Sequence, residues 1–143
     1  MPENSHNMID SLVANEFALE IDGQRVNGIF RIVGFVSFKF VQGENRLARE
    51  PFKISKMVQR DGSNLINRWI HDTRAAAESG TRPRRTLTLL AIDNGKVTRR
   101  WTIQDAWISE IAYSEFNTAS AEMVEEVLTI HYSHIDEEWP LSH

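Results

Sequence analysis

One helical stretch, set among segments that alternate with a period of two, constrains the fold of this chain most. Between Ser63 and Gly80 apolar side chains recur at helical spacing on one face: Leu65, Ile66, Trp69, Ile70, Thr73 and Ala76/Ala77. Ser63 or Asn64 can cap the first free amides, and Gly80 can end the helix in a left-handed turn. We therefore expect a mainly β fold, a small barrel or sandwich of antiparallel strands with one packed α-helix.

The alternating segments predict the strands. In chain order they cover residues 17–21, 26–42, 52–60, a hairpin over 86–104, a further strand around 111–116 and a last strand over 122–132. The run Asp93-Asn94-Gly95 is typical of a tight hairpin turn. Gly34, in the middle of the second strand, indicates a bend or bulge. Glu126 interrupts the apolar face of the last strand, so we expect the start of that strand to be exposed.

Length and composition limit the class of protein. The 143 residues and 16.5 kDa fit one domain over 1–143, with residues 1–14 as an N-terminal extension and 134–143 as a polar C-terminal tail. The net charge of -4 argues against a dedicated nucleic-acid-binding protein. No basic segment followed by an apolar run opens the chain, so we expect synthesis in the cytoplasm without a cleaved secretory signal.

The residues that could carry chemistry form no recognisable active site. The chain has no cysteine, which excludes disulfides and thiolate metal sites. His131 and His134 are three apart, and such residues point to opposite faces of a strand, so they converge only if the chain turns between them. No nucleophile elbow or phosphate-binding glycine motif is present. We expect no enzyme activity, no catalytic residues, no metal and no cofactor.

Two charged segments have both a simple and a functional interpretation. Residues 43–51 (GENRLAREP) form either a solvated surface loop or an arm that touches a neighbouring molecule. Residues 81–85 (TRPRR) form a basic linker that could grip phosphates, although without interleaved aromatic residues a solvated loop is the simpler interpretation. Trp101 and Trp107, on strands, are interpreted as packing anchors or interface residues.

The ordered set of segments resembles the contractile-phage tail tube protein family. That family includes the inner tube proteins of phage-tail-like contractile injection systems and is related in fold to the type VI secretion tube protein. The segments that carry the resemblance are FALEIDG (17–23), NLINRWI (64–70), IDNG (92–95), WTIQDAW (101–107) and EEVLTIHY (125–132). They appear in the family's order and span most of the chain.

The resemblance implies a structural role. It implies a β-barrel-like domain that assembles into hexameric rings, which stack into a hollow tube inside a contractile sheath. The implied partners are copies of the chain itself, sheath protein, baseplate proteins, and the DNA or protein cargo in the lumen. The implied location is the virion tail or an injection particle. The alternative within this class is a baseplate-proximal ring that starts the tube.

Physical reasoning from the strands favours the same picture. Long strands leave edges that must be paired, covered or charged, and a ring that joins each sheet to the next removes those edges. The solvated face of the long strands would line the channel, where Ser37 and Lys39 are the candidate residues. The mixed charges of the GENRLAREP loop would favour one docking register between rings. The candidate ring-stacking residues in it are Glu44, Asn45, Arg46, Arg49 and Glu50.

Two hypotheses of other classes remain. A monomeric β-barrel module that binds a small ligand would have a pocket lined by Trp101, Trp107 or Phe35. A small hydrolase would use His131 or His134, although no motif supports it.

Overall fold

A computed structural model describes residues 16–119 and 123–140 of the chain. The strands are β1 (Phe17–Ile21), β2 (Gln24–Val26), β3 (Ile29–Val33), β4 (Phe52–Met57), β5 (Arg85–Asp93), β6 (Lys96–Tyr113), β7 (Glu125–His131) and β8 (His134–Glu138). The helix α1 (Leu65–Ala76) is followed by one turn of 3₁₀ helix (Ala77–Ser79). The predicted mainly β fold with one packed helix is confirmed.

All strand pairs in the sheet are antiparallel, and β6 is the strand that the two halves of the sheet share. The strand order is β2-β1-β5-β6-β7-β4-β3, and β8 pairs with β6 as well. The first half of β6 lies between β5 and β8, whereas its second half pairs with β7. Asp105, with a φ of 53°, sits where these two halves meet. The sheet folds over on itself at this strand but does not close into a barrel.

Residues with positive φ form the hairpin turns. Asp22 (φ 49°) and Gly23 (φ 85°) connect β1 to β2, and Asn94 (φ 51°) and Gly95 (φ 74°) connect β5 to β6. A two-residue turn with both φ angles positive has a backbone twist that matches the twist of the flanking strands. The turn at Asn94-Gly95 was predicted from these residue types, and the structure confirms it.

The helix α1 begins and ends as the sequence predicts. The side chain of Asn64 accepts a hydrogen bond from the backbone N–H of Asn67 at 2.9 Å, which caps the first turn. Gly80 (φ 76°) takes the left-handed conformation after the 3₁₀ turn. Trp69 is buried, and its indole N–H donates to the carbonyl of Pro83 at 3.0 Å, which ties the helix to the linker before β5.

The core lies between the facing halves of the sheet and the apolar side of α1. It is built from the inward side chains of the central strands and from Ile66, Trp69 and Ile70 of the helix. The largest fully buried apolar side chains outside α1 are Phe52, Leu19, Ile21, Ile54, Leu87, Ile103, Leu128 and Ile130.

Two of the predicted strands and the predicted C-terminal tail differ from the structure. The expected strand over 26–42 is interrupted at Gly28 (φ 88°), and β3 ends before Gly34 (φ 76°), so residues 34–51 form a long loop. The expected strand around 111–116 is the end of β6 and not a separate strand. Residues 134–138, expected within a polar tail, form β8, which pairs with residues 100–104 of β6. The N-terminal extension 1–14 lies outside the described residues.

Candidate functional site: strand edges, an exposed loop and an open groove

Several strand edges have no partner strand in the described part of the chain. β2 and β3 stand at the two ends of the strand order, and β8 pairs with β6 alone. The second half of β6, from Trp107 to Tyr113, is paired with β7 on one side only. Unpaired edges expose rows of N–H and C=O groups that can accept another chain.

The loop 34–51 (hereafter the arm) holds a defined shape through its own backbone. Phe40 and Leu47 form an antiparallel bridge. The N–H of Val41 donates to the carbonyl of Arg46 at 2.9 Å, and the N–H of Ala48 donates to the carbonyl of Lys39 at 2.6 Å. The arm is therefore a short hairpin and not an irregular loop.

The arm is also anchored to the junction of β7 and β8. The Arg49 guanidinium donates to the carbonyl of Ser133, and the Tyr132 hydroxyl donates to the carbonyl of Val36 at 3.4 Å. Burial raises the pKa of the Tyr132 hydroxyl, which keeps this donor protonated over a wider pH range. These ties fix the arm's position relative to the sheet.

The structure brings the five predicted ring-stacking residues together in the arm. Glu44 and Arg46 pair with each other at 2.9 Å, and Glu50 pairs with Lys39 at 2.8 Å. Glu44, Asn45, Arg46 and Arg49 are exposed, while Glu50 is half-buried. Their contact with a second ring stays a prediction.

The two predicted channel-facing residues lie in the arm and not on a strand. Ser37 is half-buried and Lys39 is exposed. The argument that placed them on the solvated face of a long strand therefore fails, because that strand ends before Gly34. Their position on the channel wall stays a prediction.

The sequence analysis missed a pair of exposed aromatic rings in the arm. Phe38 and Phe40 are 66% and 57% exposed, and their rings meet edge to face with centroids 5.2 Å apart. In a continuous strand over 26–42 they would share one face with Phe30 and Ile32, because side chains two apart point to the same side. The break at Gly34 turns them outward instead.

An open apolar groove lies between β3 on one side and β1 and β5 on the other. Its volume is about 440 Å³. The side chains that line it include Phe17, Phe30, Ile32, Phe35, Leu89 and Trp101. Phe35 forms its floor and packs edge to face on Phe52 (5.3 Å) and Trp101 (5.8 Å). Two of the three predicted pocket residues thus meet here, whereas Trp107 lies elsewhere.

Three buried polar atoms of the β5–β6 hairpin have no hydrogen-bond partner in the described part of the chain, and one of them belongs to the groove-lining Trp101. The indole N–H of Trp101, the Nε of Arg99 and one carboxylate oxygen of Asp93 are buried and have no hydrogen-bond partner among the described residues. The Arg99 guanidinium also stacks on Trp139 at 4.1 Å and pairs with Glu137 at 2.8 Å. A buried donor without an acceptor is unfavourable by about 1–3 kcal/mol, so an acceptor from outside the described residues would stabilise this end of the fold.

The other end of β6 holds a buried ion pair whose partners are complete. Lys56 is 0% exposed and Glu126 is 6% exposed, and Lys56 Nζ lies 2.7 Å from Glu126 Oε1. Lys56 also donates to the carbonyl of Met57, and the Tyr113 hydroxyl donates to Glu126 Oε2 at 2.9 Å. Arg74 of α1 donates to that hydroxyl at 3.3 Å. The expectation that the Glu126 end of β7 is exposed is wrong, because Lys56 of β4 faces it.

The histidines do not gather with other ligands. The His131 ring stacks on Trp107 with centroids 4.6 Å apart, and Arg82 lies over the same indole at 4.3 Å. His134 contacts Asp136 at 2.7 Å on the strand β8. Within residues 16–119 and 123–140, no three His, Asp or Glu side chains are arranged to hold a metal ion. No helix in the described part of the chain is long and apolar enough to cross a membrane.

The described chain is thus a folded-over antiparallel sheet with one helix, open strand edges and an anchored arm that carries two exposed aromatic rings. The chain belongs to the family described as T4-like virus tail tube protein gp19, whose model matches residues 13–136. It is thus a structural subunit of a tail tube, and the resemblance noted in the sequence is confirmed.

Solved structures share this fold at low sequence identity. A chain of the PVC sheath-tube complex, an extracellular contractile injection system in its extended state, aligns with a TM-score of 0.72 and 10% identity, covering 96% of this chain and 98% of that one. The anti-feeding prophage tube-terminating cap aligns with a TM-score of 0.71 and 13% identity, covering 90% and 91%. Hcp1 from Flavobacterium johnsoniae aligns with a TM-score of 0.57 and 11% identity, covering 86% and 94%. None of the curated protein sequences matches this chain.

Proposed function

We propose that this chain assembles head to tail into closed rings of six copies, and that the rings stack into a hollow tube. The tube is enclosed by a contractile sheath, begins at a baseplate and carries DNA or a protein cargo. Membership of the tail tube family, and the fold shared with a chain of a sheath-tube complex and with a tube-terminating cap, support this assembly.

The unpaired strand edges carry the proposal. The free side of β6 and the edge strands β2, β3 and β8 belong to different flanks of one sheet. An edge on one flank that pairs with a different edge on the next copy makes a heterologous contact, which closes into a ring when the rotation fits. Ring closure removes the free edges without any covering element from within the chain.

Contacts between rings involve the arm. Its exposed charges alternate in sign, with Glu44 and Arg46 at its tip and Lys39 and Glu50 at its base. Charges of both signs on a protruding loop suppress wrong registers more than they add affinity. Ser37 and Lys39 remain the candidate residues for the channel wall.

Negative-stain electron microscopy of the concentrated protein tests the ring and the tube. We expect six-fold rings with a central hole and stacks of such rings. A particle that stays monomeric in sedimentation at millimolar concentration, with no rings on the grid, would contradict the proposal.

A pair of matched variants tests the arm. Reversal of one charge in Arg46→Glu should leave rings intact but shorten the stacks. The control Arg60→Glu makes the same charge change at an exposed position outside the arm. Stacks of equal length for both variants would show that the arm takes no part in stacking.

A ring at one end of the tube is the second candidate function. The alignment with the tube-terminating cap has nearly the same TM-score as that with the sheath-tube chain, 0.71 against 0.72. An end ring should form single rings that do not stack alone but bind one end of a preformed tube. Long homogeneous tubes of the purified chain would favour the main tube subunit.

A further inference from the structure

We propose that the two exposed rings of the arm, Phe38 and Phe40, insert into the apolar groove of a neighbouring copy. This inference rests on the proposed assembly and names the surfaces that meet. Phe38 and Phe40 form the knob, and the groove between β3 and β1/β5 forms the socket.

The knob is already in its bound shape. Its rings contact each other, and the backbone on either side is fixed by the bridge between Phe40 and Leu47. Arg49 and Tyr132 hold the arm to the β7–β8 junction. Little conformational freedom remains to be lost when such a knob binds, and preorganisation of this kind strengthens association.

The socket is not filled by the knob of its own chain. Phe38 lines a separate, smaller cavity together with Leu47, Tyr132 and Ile135. Neither Phe38 nor Phe40 lines the groove, although Phe35, three residues before Phe38, does. The contact must therefore form between copies.

Size and chemistry of the two surfaces match. The groove, at about 440 Å³, falls in the volume range of sites that hold drug-sized ligands, so two phenyl rings fit. Four of its walls are aromatic, and aromatic rings favour edge-to-face contacts such as those Phe35 already makes.

The unsatisfied donors at the groove indicate an occupant with acceptors. The indole N–H of Trp101, a groove-lining residue, has no acceptor among the described residues, and neither does Arg99 Nε beside it. A loop from another copy brings backbone carbonyls as well as rings. A purely hydrocarbon ligand would fill the volume but leave these donors unpaired.

A second copy is the occupant that the geometry favours over a small ligand. The knob and the socket are different surfaces of one chain, so their pairing is heterologous and propagates from copy to copy. A tail tube subunit needs contacts of this type. A small ligand would explain the socket but would leave the knob exposed.

Disulfide trapping between two single variants tests the contact directly. The chain has no cysteine, so each variant carries a single thiol. Phe30 lies on the groove wall. The variants Phe40→Cys and Phe30→Cys are mixed with each other and with wild-type protein, assembled into tubes and oxidised. We expect a cross-linked dimer on a non-reducing gel from tubes and none from the dissociated protein. A second pair, Phe38→Cys with Phe30→Cys, keeps Phe40 in place.

A matched control pair uses Phe116→Cys in place of Phe30→Cys. Phe116 is also an exposed aromatic residue, with 73% of its surface exposed against 44% for Phe30. It lies beyond the Tyr113 end of β6, whereas the groove lies near Trp101. Tubes that form normally but give no cross-link with Phe30→Cys in either pair, or equal cross-linking with Phe116→Cys, would overturn the inference. The proposed tube would stand in that case. Failure of the wild type to form tubes would instead count against the proposed function.

Loss of the knob should weaken assembly itself. In Phe38→Ser/Phe40→Ser, we expect the concentration at which tubes form to rise at least about tenfold, since buried aromatic anchors dominate interfaces. The control Phe116→Ser should change it less than about twofold. Equal shifts for both variants would contradict the knob-and-socket contact.

Discussion

The buried polar groups at the two ends of strand β6 differ in whether they have partners within the described chain. Near Tyr113, the charges of Lys56 and Glu126 are out of water, and each has partners within the chain. Near Trp101, the interior opens into the groove, and buried donors lack acceptors in the described residues. We call the Tyr113 end the closed end and the Trp101 end the open end, and the proposed contact between copies involves the open end alone.

The difference predicts that damage to the two ends has different consequences. At the closed end, every partner of a removed group is already buried, so the loss appears in the stability of the single chain. At the open end, the proposed partners belong to another copy, so the loss should appear in assembly.

The largest effect is expected when one charge of the buried ion pair at the closed end loses its partner. Lys56→Ala leaves the Glu126 carboxylate buried without its cation and should lower the free energy of unfolding by about 3–5 kcal/mol. Urea unfolding measures it. The double variant Lys56→Met/Glu126→Leu removes both charges and should recover most of the loss, because a well-packed apolar pair can replace a buried ion pair.

An exposed ion pair provides the matched control for that experiment. Lys39 and Glu50 are 2.8 Å apart, close to the 2.7 Å between Lys56 and Glu126, but they lie on the surface of the arm. Lys39→Ala should change the free energy of unfolding by less than about 1 kcal/mol. Equal losses from Lys56→Ala and Lys39→Ala would show that burial does not set the strength of these pairs.

Two tryptophans give a second test of the comparison. Trp69→Phe removes the donor to the Pro83 carbonyl and some buried volume, and should lower the free energy of unfolding by about 1–3 kcal/mol. Trp101→Phe removes an N–H that bonds to nothing in the described chain, so the loss should be below about 1 kcal/mol. A larger loss for Trp101→Phe than for Trp69→Phe would mean that the groove end is complete without a neighbour.

Local patterns in the sequence predicted the elements that local chemistry determines. The face of α1 with Ile66, Trp69 and Ile70 follows from spacing alone, and Asn94-Gly95 fixes its turn because few other residues take positive φ. Alternation also predicted β1 correctly. These features depend on neighbours a few residues away.

The features that were missed depend on residues distant in sequence. Glu126 is buried because Lys56, 70 positions earlier, faces it across the β4–β7 pair. The strand β8 has one apolar residue in five, and only its pairing with β6 makes it a strand. The groove needs β3 opposite β1 and β5, which no spacing along the chain reveals. The exposed rings of the arm appeared only once Gly34 was known to end β3.

The helix that seals the closed end gives a smaller prediction. Asn64→Ala removes the side-chain acceptor for the Asn67 N–H and should lower the free energy of unfolding by about 1 kcal/mol. Asn64→Ser keeps a capping oxygen, so its free energy of unfolding should fall by only roughly a few tenths of a kcal/mol. Asn45→Ala, an exposed position in the arm, is the control and should have little effect. An equal loss for Asn64→Ser and Asn64→Ala would contradict the cap.

The smallest expected effect is on the pH dependence of the same helix start. The side-chain and backbone hydrogen bonds from Ser63 hold the pKa of the exposed Asp61 carboxyl below its ordinary value. The folded chain therefore binds fewer protons at this group than the unfolded chain. The stability it contributes is present above the unfolded pKa and is lost as the pH falls through the lower folded pKa.

Unfolding of the unassembled chain in urea, followed from about pH 5 down through the acid range, measures this contribution. Asp61→Asn should lose less stability over that range than the wild type, because it has no proton to bind. Ser63→Ala removes the hydroxyl donor but keeps the backbone donor, so its loss should lie between the two. Identical acid profiles for the wild type and Asp61→Asn would show that these hydrogen bonds are not retained in solution, and that the capped turn leading into the closed end is looser than the structure has it.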